Sequence, residues 1–267
     1  MTRVPNEVPL FPNSAFVNIN YLGLSSKSRF DTKLNYIRNL LNTSVFLGIQ
    51  ELHTSPAKAQ DLFFVYFPSH AVLYNTLPGC PGQTILIDRS WLAERGIHAL
   101  AFESDHTVDD VDVPMDTIEH HHCIFIPSVA HGFWWHMHDR VHLFINVYLD
   151  AHDASTRVNQ LRTLTGAIRN FQTDHANCDI VHVIGGDRNF VVRHDQHVSD
   201  NRTDWWPGDD TMHAWQDLLR QVGAHCDTEL DEPTWSRKCS TSTSSNVFVA
   251  RVLDFAFAAY DPVRHGR

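Results

Sequence analysis

The sequence is short of charge, above all of positive charge. Asp, Glu, Lys and Arg make up 19% of its 267 residues, and 21 basic against 31 acidic side chains leave a formal net charge of −10. Such a chain lacks the globally basic surface with which a tight non-specific nucleic-acid binder neutralises phosphates, so any contact with DNA must be local or metal-assisted. The start of the chain lacks a targeting pattern. Met1 to Pro12 carry one basic residue and three prolines before any apolar stretch forms, which fits neither a secretory signal nor a transit peptide. Cysteine is scarce and scattered: Cys80, Cys123, Cys178, Cys226 and Cys239 form no CxxC pair and no short-spaced framework, and a reducing compartment is expected. The expected location is intracellular, the nucleus included. Residues 62–87 hold no Asp, Glu, Lys or Arg, but Pro68, Pro78, Pro81, Gly79 and Gly82 forbid a spanning helix, and the stretch reads as strands over 62–67, 71–74 and 84–87. There is no internal repeat and no long linker; the polar run 236–246 reads as a loop.

What is present is material for a core: 43% apolar residues, with seven Trp and 16 Phe, sufficient for one large soluble domain. Helical periodicity marks residues 29–41, where Leu34, Ile37, Leu40 and Leu41 share a face, and also 155–171 and 211–222, with Ser155 and Asp210 placed as N-caps. β-branched and aromatic runs over 16–19, 45–49, 143–149, 180–184 and 247–260 read as strands, giving an α/β chain with mixed sheets. The 19 histidines include His120, His121, His122, His131, His136 and His138. Three adjacent histidines cannot face one metal from a regular element, and no second tight ligand pair follows, so the run reads as compositional.

The chemistry lies at the strand ends. Val45 to Ile49 runs into Gln50-Glu51, Leu143 to Val147 into Tyr148, Ile180 to Ile184 into Gly185-Gly186-Asp187-Arg188-Asn189, and Val252-Leu253 into Asp254; Asn18 stands on the first strand. A carboxylate directly after a buried strand is costly unless a cation or a donor meets it, and several at one rim suggest a hard divalent ion such as Mg²⁺. Each residue also has a plainer reading. Tyr148 in an apolar strand suits a core, Glu51 could cap the segment near Ser55, Asp187 could satisfy its own turn, and Asp254 could pair with Arg251 or Lys238. Trp134, Trp135, Trp205 and Trp206 suit core and surface better than base stacking.

In order, Asn18 in NIN, Glu51 in GIQE, Tyr148 in NVYL, Asp187 and Asn189 in GGDRN and Asp254 in ARVLD resemble the endonuclease/exonuclease/phosphatase superfamily, and most closely its non-long-terminal-repeat retrotransposon endonuclease domains. Pro233-Thr234-Trp235 resembles a further motif of those domains. The resemblance implies a four-layer α/β sandwich of two mixed β-sheets flanked by helices, spanning residues 14–267 after an N-terminal extension over 1–13. It implies that Glu51 and Asn18 bind Mg²⁺, with Mn²⁺ as an alternative. Asp187 would orient or deprotonate the attacking water, Asn189 would hold the scissile phosphate, Tyr148 would donate to a phosphoryl oxygen, and Asp254 would orient a catalytic histidine. Two departures stand out. Arg188 occupies a position that is apolar in the family, where it would contact phosphate or solvent. The family's final Ser-Asp-His strand is absent, leaving only His265 in a turn-like tail, so the domain is expected to be truncated at its C-terminus.

Three functions are therefore expected. The first is a DNA-nicking endonuclease of a retrotransposon-type element, with DNA as substrate and a reverse transcriptase domain downstream. The second is a cellular superfamily member acting on another phosphodiester or phosphomonoester, and the third a decayed, non-catalytic copy.

Overall fold

The computed structural model describes residues 12–19, 22, 27–98, 117–137, 140–190, 197–198, 208–222, 235–240, 246–251 and 254–261. Strands β1 (Ser14–Asn18), β2 (Phe46–Gln50), β3 (His70–Asn75) and β4 (Gln83–Asp88) form a sheet in the order β1-β2-β4-β3, with β1 parallel to β2 and the other pairs antiparallel. A second sheet joins β5 (His122–Ile126), β6 (Ala130–Met137), β7 (Arg140–Tyr148), β8 (Asp179–Asp187) and β12 (Asp254–Asp261) in the order β12-β8-β7-β6-β5; only β7 and β8 run parallel. Strands β9 (His197–Val198), β10 (Trp235–Ser240) and β11 (Asn246–Arg251) form a third, in the order β10-β11-β9.

Alternation along the strands divides the apolar side chains between two faces and so builds four layers. In β2, Leu47 and Ile49 turn outward to Ile37 of α1 (Lys27–Leu41) and Phe63 of α2 (Pro56–Tyr66), and the short α3 (Arg89–Ala93) follows β4. In β7, Leu143 and Ile145 turn outward to Leu161 and Leu164 of α4 (Ala154–Asp174) and Trp215 and Leu218 of α5 (Asp209–Gln221). Between the sheets, Phe46, Leu73 and Ile85 meet Phe133, Trp135, Phe144 and Val183. Phe16 stacks on Phe144 at 4.8 Å between ring centroids, and Phe46 on Trp135 at 5.1 Å. Such pairs add about 1 kcal/mol each beyond the area they bury. The layers are helices, sheet, sheet, helices, as the family resemblance implied.

Several local expectations fail. Residues 62–67 belong mostly to α2 rather than to a strand. Ser55 accepts from the Lys58 N–H and Pro56 opens the first turn, so the cap determines the helix that the β-favouring run Leu62 to Tyr66 disguised. Asp153 caps α4 in place of Ser155, and Gly208 precedes α5, leaving Asp209 and Asp210 in its first turn beside the positive end of the helix dipole. The run 247–260 is two strands, β11 and β12, in different sheets. The histidine-rich stretch forms the β5–β6 hairpin, in which His122 Nε2 lies 3.1 Å from Nδ1 of the fully buried His131 and burial lowers the His122 pKa to about 4. Trp135 is core, 1% exposed. Among the described residues no helix is long and apolar enough to cross a membrane.

Candidate active site

Two parallel strand pairs, one in each large sheet, end at the same rim. In the first sheet Asn18 pairs with Gln50, so the β1 amide emerges beside Glu51, the residue after β2. In the second, Tyr148 pairs with Asp187 at the ends of β7 and β8. The side chains then meet across the sandwich: Asn18 Nδ2 donates to Asp187 Oδ2 at 2.8 Å and to Glu51 Oε1 at 3.2 Å, while the Tyr148 hydroxyl donates to the same Glu51 oxygen at 2.6 Å. One amide and one phenol thus hold two carboxylates that come from different sheets.

The connections are shaped to deliver these groups. Glu51, His53 and Asn189 all adopt left-handed backbone conformations, with φ of 56°, 47° and 56°. Asparagine and histidine are found in this region more readily than most residues; glutamate is strained there, a cost carried by the surrounding contacts. Leu52 N–H donates to Gly82 at 3.3 Å and His53 N–H to Pro81 at 2.7 Å, fixing the turn after β2. Ser55, not Glu51, caps the helix that follows, which leaves the Glu51 carboxylate at the rim. Asn189 N–H donates to Asp187 Oδ1 at 2.8 Å and Asn189 Nδ2 to the Leu149 carbonyl at 2.7 Å, locking the Asp-Arg-Asn turn against the end of β7.

Asp187 is 4% exposed. Burial raises its pKa to about 6, and the nearby Glu51 charge adds to the rise; the hydrogen bonds from Asn18 and Asn189 and the Arg188 charge oppose it. Burial and the Glu51 carboxylate also push the Tyr148 hydroxyl far above its ordinary range, so it stays protonated and donates.

Asp254 reaches the rim by a route the sequence did not suggest. It opens β12 rather than ending a strand, and the antiparallel register sets it opposite Asp187. Arg188 is not solvent-exposed. It is 1% exposed, its Nε donates to the Phe190 carbonyl at 3.0 Å, and its guanidinium lies over the rings of Phe190 and Trp215 at 5.9 and 5.7 Å. Sequence reasoning passed over two groups. Asn146 donates to the carbonyls of Ile49 and Thr84 at 3.2 Å each and accepts from Gln50, tying the sheets together below the rim. It stands two residues before Tyr148, and that spacing on one strand face was the available signal. His53 Nε2 lies 3.7 Å from Glu51 Oε2 and had no such signal.

Whether this rim suits a divalent ion is a question of donors. Among the described residues no three His, Cys, Asp or Glu side chains converge as a metal site. Two carboxylates and an amide do converge, however, and all can offer oxygen, the donor that Mg²⁺ prefers; Mg²⁺ commonly takes one or two carboxylates and leaves its other positions to water and phosphate. Burial is the main cause of the raised Asp187 pKa and the Glu51 charge a smaller one, so a cation placed beside the two acids would favour the ionised form. Glu51 and Asn18 fit the ion, Asn18 once its amide turns its oxygen toward the Glu51 carboxylate.

No family model matches the chain, and no curated protein does. Solved structures do. An AP endonuclease from Leishmania major superposes with a TM-score of 0.52 at 11% identity over 93% of this chain and 87% of that one. An AP endonuclease from Archaeoglobus fulgidus gives 0.50 at 12% identity over 89% and 85%. The endonuclease domain of TRAS1, a telomere-specific non-LTR retrotransposon, gives 0.46 at 14% identity over 92% and 83%. The chain shares its fold with the two AP endonucleases.

Proposed function

We propose that the chain is a Mg²⁺-dependent phosphodiesterase that nicks DNA, the endonuclease of a retrotransposon-type element with a reverse transcriptase downstream. The observation that carries this reading is the convergence of Asn18, Glu51, Tyr148 and Asp187 at one rim through hydrogen bonds of 2.6 to 3.2 Å. The retrotransposon part is supported by the order of the five motifs along the chain. In-line attack on a phosphodiester needs a positioned nucleophile, cationic charge on the non-bridging oxygens and neutral donors that do not repel the anion.

Asp187, with its pKa near 6, is ionised at neutral pH yet basic enough to take a proton from the attacking water. Asn189 supplies a neutral amide beside it, and Asp254 enters opposite Asp187 in the strand register. Tyr148 holds Glu51 now and has a hydroxyl to offer a phosphoryl oxygen. Glu51 and Asn18 would hold Mg²⁺, with Mn²⁺ as the alternative for the same oxygen donors. The ion, when bound, supplies charge neutralisation at the phosphate oxygens.

Supercoiled plasmid incubated with the purified chain should convert to open circles in Mg²⁺ and remain supercoiled in EDTA. A folded protein that nicks in neither Mg²⁺ nor Mn²⁺ defeats the reading, and one that hydrolyses only a small phosphodiester redirects it to another substrate. Tyr148→Phe should slow single-turnover nicking by about tenfold or more, the worth of a hydrogen bond to a charged group. An unchanged rate at saturating Mg²⁺ would remove Tyr148 from the machinery.

A further inference from the structure

The basic residues of a chain with net charge −10 are not spread evenly. Arg162, Thr165, Gly166 and Arg169 form one stripe of α4, at the spacing that places residues on a single helix face, and Asp217, Arg220 and Gln221 form the facing stripe of α5. Together they line an open groove of about 460 Å³ on the outside of the helical layer. The opposite faces of both helices are core, through Leu161, Leu164 and Ile168 on α4 and Trp215 and Leu218 on α5, so packing alone does not require arginines in the groove. All three arginines are exposed. Arg220 pairs at 2.6 Å with Asp217, a carboxylate that also lines the groove, and Arg169 Nε donates to Gln221 Oε1 at 3.1 Å. Arg162 makes no hydrogen bond or ion pair among the described residues.

We propose that this α4–α5 groove is an exosite for the phosphodiester backbone of the nucleic acid, an inference that rests on the nuclease reading above. Arg162 and Arg169 are seven residues apart, about 10 Å along the helix, which is roughly three phosphates of one duplex strand. A polymer with phosphates at regular spacing can engage both at once. Arginine is also the side chain whose planar fork suits phosphate. The groove is within reach of the rim. The Leu149 carbonyl that Asn189 holds lies just before α4, and Arg162 stands about 12 Å along α4 from its first residue, Ala154.

Gly166 supplies the test. A Cβ added there meets nothing within 4 Å, so the position has room for the start of a side chain, and Gly166→Glu brings a negative charge to the groove while improving helix propensity. Fluorescence anisotropy of a labelled duplex, about three helical turns long, is measured in EDTA over a salt series, with the full chain, G166E and the triple variant R162Q/R169Q/R220Q. G166E should bind about tenfold more weakly at low salt, with a melting temperature equal to or above that of the parent. The triple variant should flatten the slope of log K against log salt by about 2.7, or about 0.9 for each phosphate that an arginine no longer neutralises. A folded G166E that binds the duplex like the parent overturns the exosite, as does a parent protein that binds polyglutamate as tightly as DNA. Binding needs no cleavage, so the two readings fail separately: weaker binding by G166E from a parent that never nicks keeps the exosite and ends the nuclease reading, whereas normal nicking with unchanged binding does the reverse.

Discussion

Asp187→Asn is expected to abolish plasmid nicking, by about 10³-fold, and at the same time to stabilise the metal-free protein above pH 6. The sign follows from the direction of the pKa shift. Burial raises the Asp187 pKa from the ordinary carboxylate range near 4 to about 6, so the folded state holds this proton more tightly than the unfolded chain does. The stability linked to that proton is complete below about pH 4 and lost as pH rises through 6. Above that the native state carries a buried, ionised carboxylate at a cost of about 3 kcal/mol. Asparagine carries no charge at any pH and can still accept the Asn189 N–H. The difference in melting temperature between variant and parent in EDTA should therefore be near zero at pH 4 and reach about 5–10 °C at pH 8. A difference independent of pH would mean that Asp187 is not the buried acid described here.

Gly186→Ala should be the most damaging single methyl group among the described glycines. Gly186 has φ of 135°, and a Cβ placed on it would lie 2.0 Å from the Val147 carbonyl oxygen. That oxygen is backbone in the parallel β7–β8 pair, so no rotamer change relieves the overlap, and the seam must open one residue short of Tyr148 and Asp187. A loss of about 4 kcal/mol or more is expected, together with nicking. The neighbouring Gly185→Ala provides the contrast. There the added Cβ meets the ring of Phe16 at 2.3 Å, a side chain that can be trimmed. Phe16→Ala should partly rescue Gly185→Ala and do nothing for Gly186→Ala, as thermal melts of the two double variants would show.

The rim was legible in the sequence because its rule is local. Apolar strands that end in Glu51, Tyr148 and Asp187 identify their own ends, and parallel pairing within each sheet brings those ends to one side. Arg188 was not legible, because what buries it is Trp215 of α5, 27 residues away, together with its own neighbour Phe190. Residues 62–66 were misread for a related reason. Their aromatic and β-branched side chains suit a strand, and only Ser55 and Pro56 upstream determine the helix. The β5–β6 hairpin was hidden by histidines that take part in ring and backbone contacts inside the second sheet, where composition alone suggests solvent or metal. His265, Trp205, Trp206 and residues 1–11 lie outside the described residues, and Pro233-Thr234 likewise.

The Asn18 amide that bridges the two carboxylates also sets an order of events during synthesis. Its acceptors are Glu51, 33 residues downstream, and Asp187, 169 residues downstream. A nascent chain still short of Asp187 can complete the first sheet, and with it Glu51, yet offers only half of the acidic pair. The constellation closes only when the second sheet has left the ribosome, so folding is slow by contact separation and the paired carboxylates come together late in translation.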